Sequence, residues 1–213
     1  MKRLLSCLLI VALVFSMTAC SLFSKPETIV TKFCKSLKTF NMDEAASCFV
    51  SNKLDFALPS DEDLAEIKEV IPEKAIDHFK KWFLKMDYKV GEATVNGDTA
   101  TVPVTFTYVD ASPVLTAALG EYITQALGLA FSGADEDAIE ELFGTILLEK
   151  LETVETKTAT TEIEFVCVKH DGDWKIQDLS EETQDQITNI ISCNIMKTME
   201  DYVGKLADSF DFD

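Results

Sequence analysis

Residues 88–109 read YKVGEATVNGDTATVPVTFTYV. Val102, Val104, Phe106 and Tyr108 fall on one face of an extended chain, with Thr101, Thr105 and Thr107 on the other. Asn96-Gly97-Asp98 in the middle is a hairpin turn signal, so the stretch predicts two antiparallel strands, Tyr88–Val95 and Thr99–Val109. The same period returns later. Val154–Lys169 places Ile163, Phe165 and Cys167 on one face, Asp171-Gly172 makes a tight turn, and Asp173–Asp178 alternates through Trp174 and Ile176. Four antiparallel strands are therefore expected.

Outward from the strands the period becomes helical. Pro26–Phe40 carries Ile29, Val30, Phe33, Leu37 and Phe40 in one stripe, with Pro26 suited to the first turn. Asn41-Met42-Asp43 is a turn and cap before a short helix over Glu44–Val50. Asp61–Ile71 begins with acids that complement a helix dipole, Pro72 interrupts it, and Glu73–Met86 follows with Ile76, Phe79, Phe83 and Met86 on one face. Between the two strand pairs, residues 111–152 predict a helical hairpin. Its first arm is apolar, but Glu121 and Gln125 near its middle argue against a membrane span. A last helix is expected over Glu181–Ala207, before an acidic tail at 208–213. Helices segregated from antiparallel strands give the α+β class.

Composition narrows the function. The chain has 213 residues, of which 47% are hydrophobic, enough for a real core in one domain. It holds 19 Lys+Arg against 37 Asp+Glu, a net charge of −18, which becomes −20 once Lys2 and Arg3 are removed. Such an acidic body repels phosphate backbones, so no nucleic-acid partner is expected. Two histidines leave little room for a multi-histidine metal site, and no metal or cofactor is expected. Gly-x-Ser-x-Gly, Walker, dinucleotide and His-Glu-x-x-His signatures are missing. The runs Asp61-Glu62-Asp63 and Asp135-Glu136-Asp137 lack EF-hand spacing and stand at helix starts, where the dipole and solvent account for them.

The N-terminus reads MKRLLSCLLIVALVFSMTAC. Two basic residues precede a largely apolar run from Leu4 to Phe15, too short to anchor as a stable span. Met17-Thr18-Ala19-Cys20 resembles the bacterial lipobox, with a small residue before the cysteine. The resemblance implies export, cleavage of a signal peptide over 1–19 and acylation at Cys20, hence a membrane partner through that lipid on the outer face of a bacterial membrane. The tether at 20–25 is short. The five residues after Cys20, Ser21–Lys25, reach at most about 17 Å, and the acyl chains must hold an acidic body beside a surface that repels it.

Three stretches resemble nuclear transport factor 2-like domains. Val30-Thr31-Lys32-Phe33 through Asn41-Met42-Asp43-Glu44-Ala45-Ala46 is similar to the opening helix pair, Val95–Val102 to a middle hairpin, and Lys169-His170-Asp171-Gly172-Asp173-Trp174-Lys175-Ile176 to the closing hairpin. The resemblance spans about residues 26–110 and 154–178 and is nearest to bacterial lipoproteins of that cone-shaped fold. It implies a single domain over 26–207, with N-terminal helices packed on a curved antiparallel four-strand sheet. The hairpin insertion at 111–152 and the C-terminal helix at 181–207 stand outside the minimal fold. Function does not follow from it, because the superfamily holds enzymes, binding modules and scaffolds.

Enzymes of that superfamily place an Asp, His or Tyr inside the cone. His78, Tyr88, Tyr108 and His170 are the candidates here, and no pair of them makes an acid–base set. A non-catalytic binding or interaction module is expected, for a small hydrophobic ligand or a protein partner; the alternative is a cavity-based enzyme. Phe79, Trp82, Phe83, Phe106, Tyr108, Phe165 and Trp174 are the expected cavity lining, against the competing reading of a filled core. The hairpin 111–152 is the expected association surface, and its deletion is expected to leave the sheet folded. Four cysteines follow Cys20. Cys34 and Cys48 lie seven residues either side of Asn41, level on an antiparallel helix pair, so Cys34–Cys48 is expected and Cys167–Cys193 by remainder. Four reduced thiols are the alternative where export oxidation is lacking.

Overall fold

Seven helices and five strands run through the described residues, which are 25–54, 56, 71–133 and 136–210 of a computed structural model. The class is α+β, with a curled antiparallel sheet as expected. The signal peptide, Cys20 with its tether up to residue 24, all but Ile71 of the helix expected at Asp61–Ile71, and residues 211–213 lie outside the described residues. The helices are α1 (Pro26–Lys38), α2 (Met42–Ala46), α3 (Glu73–Phe83), α4 (Ser112–Ser132), α5 (Glu136–Thr153), α6 (Glu181–Ile191) and α7 (Ile195–Phe210). The strands are β1 (Asp87–Val90), β2 (Thr94–Asn96), β3 (Thr99–Asp110), β4 (Lys157–His170) and β5 (Asp173–Ile176). Hydrogen-bonded neighbours follow the order β1-β3-β4-β5, and β2 also pairs with β3. The chain divides into two compact units, and β3 and β4 give one end to each.

The first unit comprises residues 25–54, 90–104 and 164–178 among those described. Pro26 sits in the first turn of α1, where its missing N–H costs nothing, and Glu27 and Lys35 complement the two ends of the dipole. The helix buries Val30, Phe33, Cys34 and Leu37. It stops because Phe40 turns left-handed, φ 54°, with Phe40 N donating to Leu37 O and Asn41 N to Ser36 O, a Schellman closure. Phe40 is therefore exposed, not part of the buried stripe it was expected to join. Asn41 then caps α2. Its side-chain oxygen accepts from Glu44 N at 3.2 Å while its amide donates to Glu44 Oε2 at 3.2 Å. Beyond α2, Phe49 bridges to Ile176 in parallel, fastening this corner to β5.

Both hairpins of this unit form where the turn residues place them. Gly97 takes φ 62° between Asn96 and Thr99, and Asp171 and Gly172 take 54° and 91° between His170 and Asp173. The expected strand Tyr88–Val95 is instead two, β1 and β2. At the interruption Gly91 N donates to Pro103 O at 2.8 Å, and a Cβ on Gly91 would lie 2.9 Å from Pro103 Cγ. Pro103 has no N–H to give to a ladder, so its partner strand breaks opposite it.

The second unit comprises residues 56, 71–89, 105–133, 136–163 and 179–210 among those described. Its core joins Ala75 and Trp82 of α3, Val109 of β3, Val114 and Ala118 of α4, Ile146, Leu147 and Leu151 of α5, and Cys193. The helical hairpin is thus structural in its inner half, and deleting it would remove half of that core. The outer half of α4 is open, with Leu127 55% and Phe131 89% exposed. By length and composition alone α4 is apolar enough to cross a membrane; its Glu121 is ion-paired with Lys150 of α5.

The expected last helix is two helices. Cys193 and Asn194 are both left-handed, φ 54° and 63°, with Cys193 N donating to Ile190 O and Asn194 N to Asn189 O. This second Schellman closure ends α6 without a glycine.

Candidate functional site

The seven expected lining residues are divided between the two units. Phe165 and Trp174 belong to the first unit, where Phe165 is fully buried against Phe33 and Trp174 lies beneath Lys169 Nζ at 5.6 Å. Phe79, Trp82, Phe83, Phe106 and Tyr108 belong to the second unit. Phe83, Phe106 and Tyr108 are buried there, with the Tyr88 ring 6.4 Å from that of Phe106. Trp82 also lines an open pocket of that unit.

That pocket is an open groove of about 730 Å³ in the second unit. His78, Lys81, Trp82, Leu84 and Lys85 form one wall; Leu151, Val154, Glu155 and Thr156 form the other. The first wall follows from helical spacing, since 78, 81, 82 and 85 share one face of α3 and its C-terminal turn. The second is the end of α5 and the link into β4. Trp82 is 8% exposed, braced edge-on by Phe79 at 5.4 Å and His78 at 6.2 Å between ring centroids. Leu84 stands 62% exposed beside it.

The cations of this helix divide into two sets. Lys74 pairs with Glu152 and Lys80 with Asp77. The Lys74 ammonium, with a smaller push from His78, holds the Glu152 carboxyl below its ordinary pKa. Among the described residues, Lys81 and Lys85 have no ion-pair partner, and Glu155 is the carboxylate on their groove. The sequence reading found Trp82 but missed both lysines. Their spacing of four from one another, flanking an exposed leucine, was the available signal.

A separate polar chain surrounds Tyr108. Its hydroxyl lies 3.2 Å from Thr161 Oγ1 and donates to Asn194 Oδ1 at 3.3 Å. Burial tends to raise the Asp110 carboxyl, but hydrogen bonds from the Ser112 hydroxyl and N–H and the Asn194 amide, with Lys157 nearby, leave it below its ordinary value. An ionised, fully engaged Asp110 is no proton donor, and the Tyr108 hydroxyl is spent on two neighbours. This arrangement fastens the α6–α7 corner to the end of β3. His170 is exposed in its turn, near Asp171 at 3.4 Å, and His78 is half-buried against Trp82. Among the described residues no cluster of three His, Cys, Asp or Glu is placed to hold a metal ion.

Cys34, Cys48, Cys167 and Cys193 are all free thiols in this structure, and neither expected bridge is formed. Cys34 lies on α1 and Cys48 in the turn after α2, close enough that Cys48 adds to the upward push on Cys34. Cys167 lies in the first unit and Cys193 in the core of the second. Burial pushes Cys34 and Cys167 up to about 12 and Cys193 to about 11, and raises Cys48 as well. The thiolate is the reactive form, so these are inert core thiols. A thiol reagent should find all four unreactive on the folded chain and all four reactive after denaturation without reductant. A denatured count below four would show that bridges form.

No family model matches the chain, and no curated protein matches it. Among solved structures, a putative lipoprotein (ycdA) from Bacillus subtilis is similar, with a TM-score of 0.37 and 18% sequence identity. The likeness covers 56% of this chain and 38% of that chain.

Proposed function

We propose that this chain is an exported lipoprotein, anchored through Cys20, that serves as a non-catalytic binding module. Its fold is of the nuclear transport factor 2-like kind, and its ligand lies on the α3 groove, not in an internal cavity. The observation that carries the binding reading is that groove. It has a tryptophan in its wall, an exposed leucine and two lysines with no partner among the described residues, in a chain with nearly twice as many acids as bases. Non-catalysis is supported by the engagement of Tyr108 and Asp110 in a structural network. The family reading is supported by the three quoted motifs standing in order along the chain, on the α1–α2 pair and two hairpins.

Anchoring is supported by the order of charge, apolar run, small residue and Cys20. In cells given an alkyne analogue of palmitate, the wild-type chain is expected to take up label and fractionate with membranes. Cys20→Ser is expected to take up none and to migrate as the unprocessed form. Equal labelling of the two would end the lipoprotein reading.

A further inference from the structure

We infer that the α3 groove recognises an amphipathic anion, a carboxylate or phosphate head on an alkyl or aryl body. This rests on the reading of that groove as the binding surface. Lys81 and Lys85 are one helical turn apart, so both ammonium groups serve one side of the groove. Acids outnumber bases in this chain, 37 to 19, and Lys74 and Lys80 on the same helix have found carboxylates. Lys81 and Lys85 have none among the described residues, which leaves their charge available to a ligand. Glu155 on the facing wall offsets one of the two.

The surface beside the cations is apolar. Trp82 presents its remaining exposed edge, Leu84 is largely exposed, and Leu151 and Val154 face them from the opposite wall. A head held by the lysines would lay its body along this strip and cover Leu84. A groove of about 730 Å³ is within the size range of small-molecule sites. A simple inorganic anion would use the lysines and leave the strip wet. A neutral apolar molecule would use the strip and leave the lysines idle. An amphipathic anion uses both. It has two sources, a free amphiphile or the headgroup and first chain segment of an anionic membrane lipid.

The test uses the full lipidated chain in phosphatidylcholine nanodiscs, labelled with 5-fluorotryptophan. The chain has two tryptophans, so fluorine NMR gives two signals, assigned by Trp82→Phe. Octyl phosphate is expected to shift the Trp82 signal saturably and leave Trp174 in place. Octanol should act only weakly and octyltrimethylammonium not at all. The double variant Lys81→Gln/Lys85→Gln, whose changes are both at exposed positions, should bind octyl phosphate about tenfold more weakly. Replacing part of the disc lipid with phosphatidylglycerol separates the sources: a Trp82 shift without added probe assigns the lipid, and a shift only on adding octyl phosphate assigns the free amphiphile. Equal binding of octanol and octyl phosphate, unchanged in the double variant, overturns the anion and leaves the groove standing. No Trp82 response to any probe or disc lipid overturns the groove itself.

Discussion

Phe33→Ala is expected to destabilise the chain by about 4 kcal/mol, which for a domain of this size lowers the melting temperature by roughly 10 °C. Phe33 has no exposed surface. It meets Phe49 edge-on, centroids 5.2 Å apart and planes at 86°, and Phe165 at 5.5 Å and 63°. Removing the ring forfeits its transfer free energy, both edge contacts and the packing of the walls left behind. Those walls cannot close easily, because they belong to three separate segments: α1, the turn after α2 and β4. Phe33→Leu fills much of the space without the edge contacts and is expected to cost about a third as much. Urea unfolding of both variants measures the difference. A loss under about 1.5 kcal/mol for the alanine variant would mean that these walls collapse onto the gap.

Most of this unit was legible in the sequence because each of its devices is local. Alternation marked the strands, Gly97 and Gly172 stood where left-handed turns were needed, and Pro26 and Asn41 marked helix starts. The break between β1 and β2 was less visible, because its cause lies across the sheet. Pro103 fails to donate, and Gly91 yields to its ring. A proline inside an alternating run was the cue, but it signals trouble in the partner strand, not in its own. The cysteine pairing was only partly legible, for a related reason. Sequence level places Cys34 near Cys48 correctly, yet proximity does not form a bond, and assigning Cys167 to Cys193 by remainder carried no geometry. The groove was half-legible. An aromatic at helical spacing marks either core or site, and Trp82 is both. Lysines on a helix read as solvated by default, and only the ion-pair pattern of their neighbours sets Lys81 and Lys85 apart.

The least legible feature is the α6–α7 corner, and it sets the second large effect. Ile187, Ile190, Ile191, Ile195 and Met199 keep a helical period across residues 192–194, so nothing in the hydrophobic pattern reports the break. The break is made by backbone and polar side chains. Asn194 holds φ 63°, accepts from Tyr108, and donates to Asp110. Asn194→Gly keeps the left-handed backbone without strain but loses both side-chain bonds, one to a carboxylate, at a cost of about 2 kcal/mol. Asn194→Val loses the same bonds and adds a β-branched residue in a left-handed conformation, for about 4 kcal/mol in all. The pair separates the two contributions: equal losses would show that backbone strain contributes nothing, and an unaltered glycine variant that the hydrogen bonds contribute nothing. The pH dependence has a fixed sign. Asp110 is held below its ordinary value in the folded chain, so its stabilisation is present above the unfolded value and lost as pH falls through the folded one. Withdrawing the Asn194 donor raises the folded value towards the unfolded one. In Asn194→Gly less stabilisation remains to be lost, and its loss is complete at a higher pH. Urea midpoints measured down an acid series should therefore show the gap between wild type and Asn194→Gly narrowing as pH falls. A gap that stays constant through the acid range would mean that the Asn194 amide stabilises the corner without acting through the Asp110 carboxylate.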